Sequence, residues 1–248
     1  MKEEQIEDIS SLLTSALSLA VGFGFDIPED TAKLFGSISP VVQRTFSKVM
    51  TVFLKKDFAR IECARLGICY QSLVECIRNN EATGCRLNNS FFSETQVYGI
   101  IDEITEAVLR AAINDSQNIK SHYYGRLLGN VLFQTKYDES SVYALLRIAQ
   151  QLSFDELCLL AVLNDLPAKN YEGLVRVDDK RAELVVNMLN LKTAALIKRV
   201  PSFTLGATLD NLQISSLGMD LYRLMDLREL DLVTVNDLRQ MLLYYLQS

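Results

Sequence analysis

The chain has a single histidine, four prolines and no Cys-x-x-Cys pair. Each scarcity removes a class of chemistry. A zinc site draws on Cys and His at short spacing, and Cys63, Cys69, Cys76, Cys85 and Cys158 offer none, with only His122 to join them. Their odd number and their scatter through apolar helical patterns imply reduced, mostly buried thiols in a cytoplasmic protein. A glycine-rich phosphate cradle is missing as well. Gly22-Phe-Gly24 has neither the third glycine nor the lysine of the phosphate-binding signatures and reads as a helix end. Neither a metal nor a small-molecule cofactor is expected. Positive charge is also short: the formal net charge of −6 excludes a surface given over wholly to nucleic acid, though it leaves room for a local basic patch. The acidic opening residues lack the basic start of a secretory signal, so export by that route is not expected.

What is present is apolar periodicity. At 248 residues, 49% of them apolar, the chain can bury one large core or two small ones. Few prolines and glycines interrupt stretches in which apolar residues recur at helical spacing, and a mainly α fold follows. Residues 9–25 form an uncharged block between Asp8 and Asp26, just short of spanning length. A helix is expected over residues 31–54, interrupted or kinked near Pro40, with Phe35, Ile38, Val42, Phe46, Val49 and Phe53 as one stripe. Residues 58–79 read as a helix with Ile61, Ala64, Ile68, Leu73 and Ile77 facing inward. The polar run over residues 80–93 marks a boundary. Further helices are expected over residues 96–114, 118–133 and 140–151, the first with Val97, Ile100, Ile101, Ile104 and Val108 inward. Ser153 is placed to cap another that ends before Pro167.

The last third has the most distinctive order. A helix over residues 182–191 leads to Ala195-Leu-Ile-Lys-Arg199, a turn-rich segment from Ser202 to Asn211, and a helix opened by Leu212-Gln-Ile-Ser-Ser-Leu-Gly-Met-Asp-Leu221. Helix, short strand, hairpin, short strand and helix make a winged-helix-like module. The expected architecture is therefore a mainly α helical bundle with a C-terminal winged-helix-like module carrying a small β-hairpin. Its division is an N-terminal helical region over residues 1–92 and a middle and winged region over residues 93–248.

Three local patterns in one order carry a resemblance. They are Ser121-His-Tyr-Tyr-Gly-Arg-Leu-Leu-Gly-Asn-Val-Leu-Phe133 after a helix ending at Ala112-Ile-Asn-Asp115, then Leu152-Ser-Phe-Asp-Glu-Leu-Cys-Leu-Leu160, then the Leu-Asn-Leu191, Leu196-Ile-Lys198 and Ile214-Ser-Ser-Leu-Gly218 sequence. Together, over residues 102–225, they resemble the abortive-infection alpha family of bacterial helical proteins. Lys192-Thr-Ala-Ala-Leu196 stands where that family has an Arg-Leu-Gly-Leu turn. The resemblance implies a place in bacterial phage defence or toxicity, and it implies no residue-level chemistry.

Candidate chemistry is thin. His122 has no nucleophile in a recognisable context and fits a helix surface or partial core. The acid pairs Asp102-Glu103, Glu103/Glu106 and Asp178-Asp179 could share a proton or hold a cation, but on helices they serve as solvated faces or caps. Over residues 178–199 five cations (Lys180, Arg181, Lys192, Lys198, Arg199) face three acids (Asp178, Asp179, Glu183). Lys192, Lys198 and Arg199 are the candidate nucleic-acid contacts, against which Glu183 in the expected recognition helix would repel phosphate. Leu12, Leu13, Leu17, Val21, Phe23 and Phe25 are candidate membrane contacts: the apolar block and the next helix could leave a bundle as a hairpin and enter a bilayer. The leading expectation is a non-enzymatic cytoplasmic protein that works through a protein partner or its own copies, with conditional membrane association. A DNA-binding regulator and an unrecognised hydrolase or nuclease are the alternatives.

Overall fold

The computed structural model describes residues 39–53, 59–92, 99–165, 186–187, 190–204, 207–230 and 235–240. It is mainly helical with one small antiparallel sheet, as expected. The chain divides into two compact units, Met1–Leu146 and Arg147–Ser248. The boundary expected near residue 92 falls inside the first unit, because helices on either side of it close on each other.

In the first unit, α1 (Pro40–Phe53) opens with proline as its first helical residue, where a missing N–H costs nothing. Pro40 is thus the first residue of this helix; residues 31–38 of the expected helix lie outside the described residues. Val42, Phe46 and Val49 are buried at helical spacing, as the stripe predicts. Helix α2 (Arg60–Ala82) is followed by a short 3-10 turn (Asn89–Phe92), α3 (Ile100–Asn114), α4 (Lys120–Val131) and α5 (Glu139–Gln151), the last running across the division. Helix α3 packs on α1, α2 and α4, and α2 packs on α4. Asp102 holds the start of α3: its Oδ2 accepts from Gly99 N–H at 3.0 Å and also takes the Lys48 ammonium of α1.

Helix α2 departs from its expected face. Leu73 and Ile77 are buried, but Ile61 is 49% and Ile68 39% exposed, while Leu66, Cys69, Tyr70, Val74 and Cys76 are inside. The cause lies in α4. A Cβ on Gly125 would fall 2.2 Å from the Cys69 carbonyl oxygen, and one on Gly129 would fall 2.7 Å from Cys76 Cβ. Two glycines one turn apart let the backbones meet, and the side of α2 that fits them is the side that becomes core.

In the second unit, α6 (Phe154–Asp165) is buried without a break from Glu156 to Leu163, as a helix apolar all round must be. Ser153 caps it reciprocally: Glu156 N–H donates to Ser153 Oγ at 3.2 Å and Ser153 N–H to Glu156 Oε2 at 2.6 Å. Residues 190–193 are helical and lead to β1 (Ile197–Thr204), β2 (Ala207–Ile214) and α7 (Ser216–Leu224), with a 3-10 turn (Leu227–Glu229) beyond. The strands pair antiparallel from Ile197↔Ile214 to Thr204↔Ala207. Much of the segment expected as turn, residues 202–211, is therefore strand, since each of its Ser, Thr and Asn residues has a cross-strand partner in the ladder. Helix α6 packs on α7, β2 and the 3-10 turn after α7. Residues 235–240 are helical.

Candidate functional site

Polar side chains cross the seam between α2 and α4 in three steps. Ser72 Oγ meets His122 Nδ1 at 2.6 Å, Cys76 Sγ points to the Arg126 carbonyl at 3.7 Å, and Asn80 Nδ2 donates to Asn130 Oδ1 at 3.0 Å. Each pair is separated by fifty residues. A constant difference means that the two helices run in the same direction, with α3 as the return leg between them.

The first step pairs a hydroxyl with the imidazole of the single histidine. Ser72 Oγ also donates to the Ile68 carbonyl at 2.9 Å, so its one proton is spent along its own helix and His122 supplies the proton for the bond between them. Ser72 is 2% exposed, and its Cβ lies 2.9 Å from where a Gly125 Cβ would be. A carbonyl substrate has no room to approach such a hydroxyl. His122 acts as a clasp between helices, set edge-on to the Tyr123 ring at 5.0 Å between centroids.

A second polar group, which sequence reasoning missed, sits where α3 turns into α4. Lys120 is 1% exposed and its Nζ lies 2.6 Å from Asp115 Oδ2. Tyr124 Oη donates to the same oxygen at 2.6 Å, and Gln117 N–H donates to Oδ1 at 2.9 Å. Burial acts to raise the pKa of Asp115, but the hydrogen bonds from Lys120, Tyr124 and Gln117, with the lysine charge, hold the carboxyl below its ordinary range. Burial first and Asp115 second push the Tyr124 phenol far above its ordinary value. Only the spacing of Asp115, Lys120 and Tyr124 hinted at the cluster, and a Lys inside a helical run is ordinarily a surface residue.

The thiols are poor nucleophiles where they are buried. Desolvation pushes Cys69 and Cys158 up to about 12, and it raises Cys63 with help from the charge of Glu62. Cys85 is exposed, and all five cysteines are free. Among the described residues no group of three or more His, Cys, Asp and Glu side chains converges to hold a metal.

The base of the hairpin is the most tightly tied part of the second unit. Leu196 N–H bonds to the Leu191 carbonyl at 2.9 Å and Ala195 N–H to Lys192 at 3.0 Å, the pair of bonds that ends a helix through a left-handed residue. That residue is Ala195, with φ of 58°. Ser215 closes the other side: its N–H donates to the Leu196 carbonyl at 2.8 Å, its hydroxyl to the Ala195 carbonyl at 2.7 Å, and its oxygen caps α7 at Gly218 N–H, 3.0 Å away. Gly218 completes the contact, since a Cβ there would fall 2.2 Å from the Leu196 carbonyl oxygen.

Lys192 and Lys198 are exposed near this base. Arg199 follows Lys198 in β1, paired in register with Leu212, and successive strand positions alternate between the two faces of the ribbon. Asn190 donates its amide to buried Glu156. Glu183, Asp178 and Asp179 lie outside the described residues, as do Leu12, Leu13, Leu17, Val21, Phe23 and Phe25.

Neither a protein-family model, a curated protein nor a solved structure matches this chain. Among the described residues no helix is long and apolar enough to cross a membrane.

Proposed function

We propose that this chain is a non-enzymatic protein of the bacterial phage-defence or toxicity type. It acts through protein contacts made by its C-terminal module, and the N-terminal apolar hairpin enters a membrane on activation. The observation that carries the non-enzymatic part is the Ser72–His122 pair, at 2.6 Å, locked in a helix seam with no approach for a substrate. The contact role is supported by β1 and β2 forming a sheet of two strands only, whose outer edges have no third strand among the described residues. The biological setting rests on the resemblance over residues 102–225.

The test is expression in a bacterial host with growth and membrane potential followed together. A truncation starting near residue 93 is a poor probe, since it removes α2 and opens the face of α4. Leu13→Asp and Leu17→Asp place a charge in the apolar block over residues 9–25 while keeping the full chain. Growth arrest with depolarisation in the parent chain, and neither in these variants, is the expected result. Arrest without depolarisation in all three removes the membrane step and points to an intracellular target. No arrest from the parent chain removes the toxic reading.

A DNA-binding regulator is the second reading, favoured by exposed Lys192 and Lys198. It requires salt-sensitive retention on DNA that falls when both become glutamate.

A further inference from the structure

The two strands of the ribbon do not have equal outer edges. Ser215 N–H donates to the Leu196 carbonyl at 2.8 Å, one step beyond the Ile197↔Ile214 pair. In an antiparallel ladder, hydrogen-bonded pairs alternate with pairs that are not. Counting on from Leu196 and Ser215, the bonded pairs are 198/213, 200/211, 202/209 and 204/207. Pro201, paired with Asp210, falls between them, where its missing N–H costs the ladder nothing. At the intervening pairs the backbone groups point outward, from 197, 199, 201 and 203 in β1 and from 208, 210, 212 and 214 in β2.

Proline therefore removes an outward donor from the middle of β1, which also carries Lys198 and Arg199. Proline and positive charge are what keep an edge from adding a strand. Strand β2 has no proline and a single charge, Asp210. Its outward donors are all present. Helix α6 packs on β2, but a helix spends its backbone groups within itself and cannot take the place of a strand.

We infer that the outer edge of β2 pairs with the same edge of a second copy of this chain, making an antiparallel sheet of four strands. A ribbon of two strands is marginal by itself, and this one runs for eight pairs, about 27 Å. A second copy turned about a two-fold axis offers an edge of the same length, running antiparallel, with outward groups at matching spacing. The resulting sheet has β1 at both borders, each interrupted by Pro201, so growth stops at two copies. A lone foreign strand would instead leave its own far side as a new open edge. The inference rests on the contact role proposed for the C-terminal module and names its partner.

The test is sedimentation equilibrium of the purified full-length protein, with residue-resolved amide exchange. The parent chain is expected as a dimer. As concentration rises through the dissociation range, the amides of Thr208, Asp210 and Leu212 should exchange about tenfold more slowly. Those of Leu209 and Asn211, bonded to β1, should not change. Asp210→Pro removes one outward donor and no bond between β1 and β2, and should give a monomer. Asp210→Asn keeps the donor and should remain a dimer. A monomeric parent chain overturns the inference while leaving growth arrest, the readout of the proposed function, to be decided separately. A dimer whose three outward amides ignore concentration, or whose mass survives Asp210→Pro, overturns it as well.

Discussion

Lys120 is a buried ammonium held by one buried carboxylate, Asp115, at 2.6 Å. The pair spans five residues of sequence at the turn between α3 and α4, and Tyr124 fills the remaining side, with the ammonium 5.5 Å from its ring centre. Removing one partner strands the other away from water. Lys120→Met is expected to cost about 3–5 kcal/mol by urea unfolding. The Lys120→Met/Asp115→Asn double variant should lose clearly less than the sum of the two single losses, and strict additivity would show the pair is not coupled.

The same carboxylate sets an acid limit. Its value in the folded state is depressed, so the unfolded chain binds the proton more readily. The stability it contributes is present above the ordinary aspartate value of about 4 and fades as pH falls through the lower folded value. Melting temperature against pH should therefore fall less steeply below about pH 4 in Asp115→Asn than in the parent, although the variant starts lower. Identical slopes would separate Asp115 from acid unfolding.

Two glycines should respond to alanine for different reasons. Gly125→Ala gains helix propensity, but its Cβ meets a backbone oxygen 2.2 Å away that has no rotamer to move. The helices must separate, and a loss of about 2 kcal/mol or more is expected. Gly84→Ala meets nothing within 4 Å but sits at φ of 78°, where a Cβ costs about 1 kcal/mol. Urea midpoints in that order check both; equal effects would mean the seam is slack.

Ala195 points the other way. It holds the left-handed position that ends a helix, where glycine is the ordinary occupant. Relief of about 1–2 kcal/mol of strain is partly offset by the greater freedom of glycine in the unfolded chain, so Ala195→Gly should stabilise by about 0.5–1 kcal/mol. A rise in melting temperature checks this, and a fall would show that the turn uses the methyl group for packing.

Hydrophobic spacing made the helices of the first unit and the cap at Ser153 legible in the sequence, because these depend on residues within a turn or two of one another. The burial of Val42, Phe46 and Val49 follows from the same spacing. The inner face of α2 was not legible: both of its sides carry aliphatic residues, and the choice between them is made by Gly125 and Gly129, far along the chain. The small hairpin was legible from the order of its elements, but its strands run on through Ser, Thr and Asn residues that read as turn when no partner strand is in view. Lys120 escaped notice because a lysine reveals burial only when its carboxylate is seen beside it.

The fifty-residue offset between α2 and α4 has a consequence for how the molecule comes into being. Two parallel helices cannot be joined by a short hairpin, so their seam forms only after a long loop has closed, at an entropic cost on the order of 3 kcal/mol. During synthesis α2 leaves the ribosome well before Gly125 and Gly129 exist to receive it. Until residue 131 has been added, the surface around Cys69, Leu73 and Cys76 lacks its glycine-lined counterpart. The seam is therefore a late, non-local contact, completed only when α4 has been made.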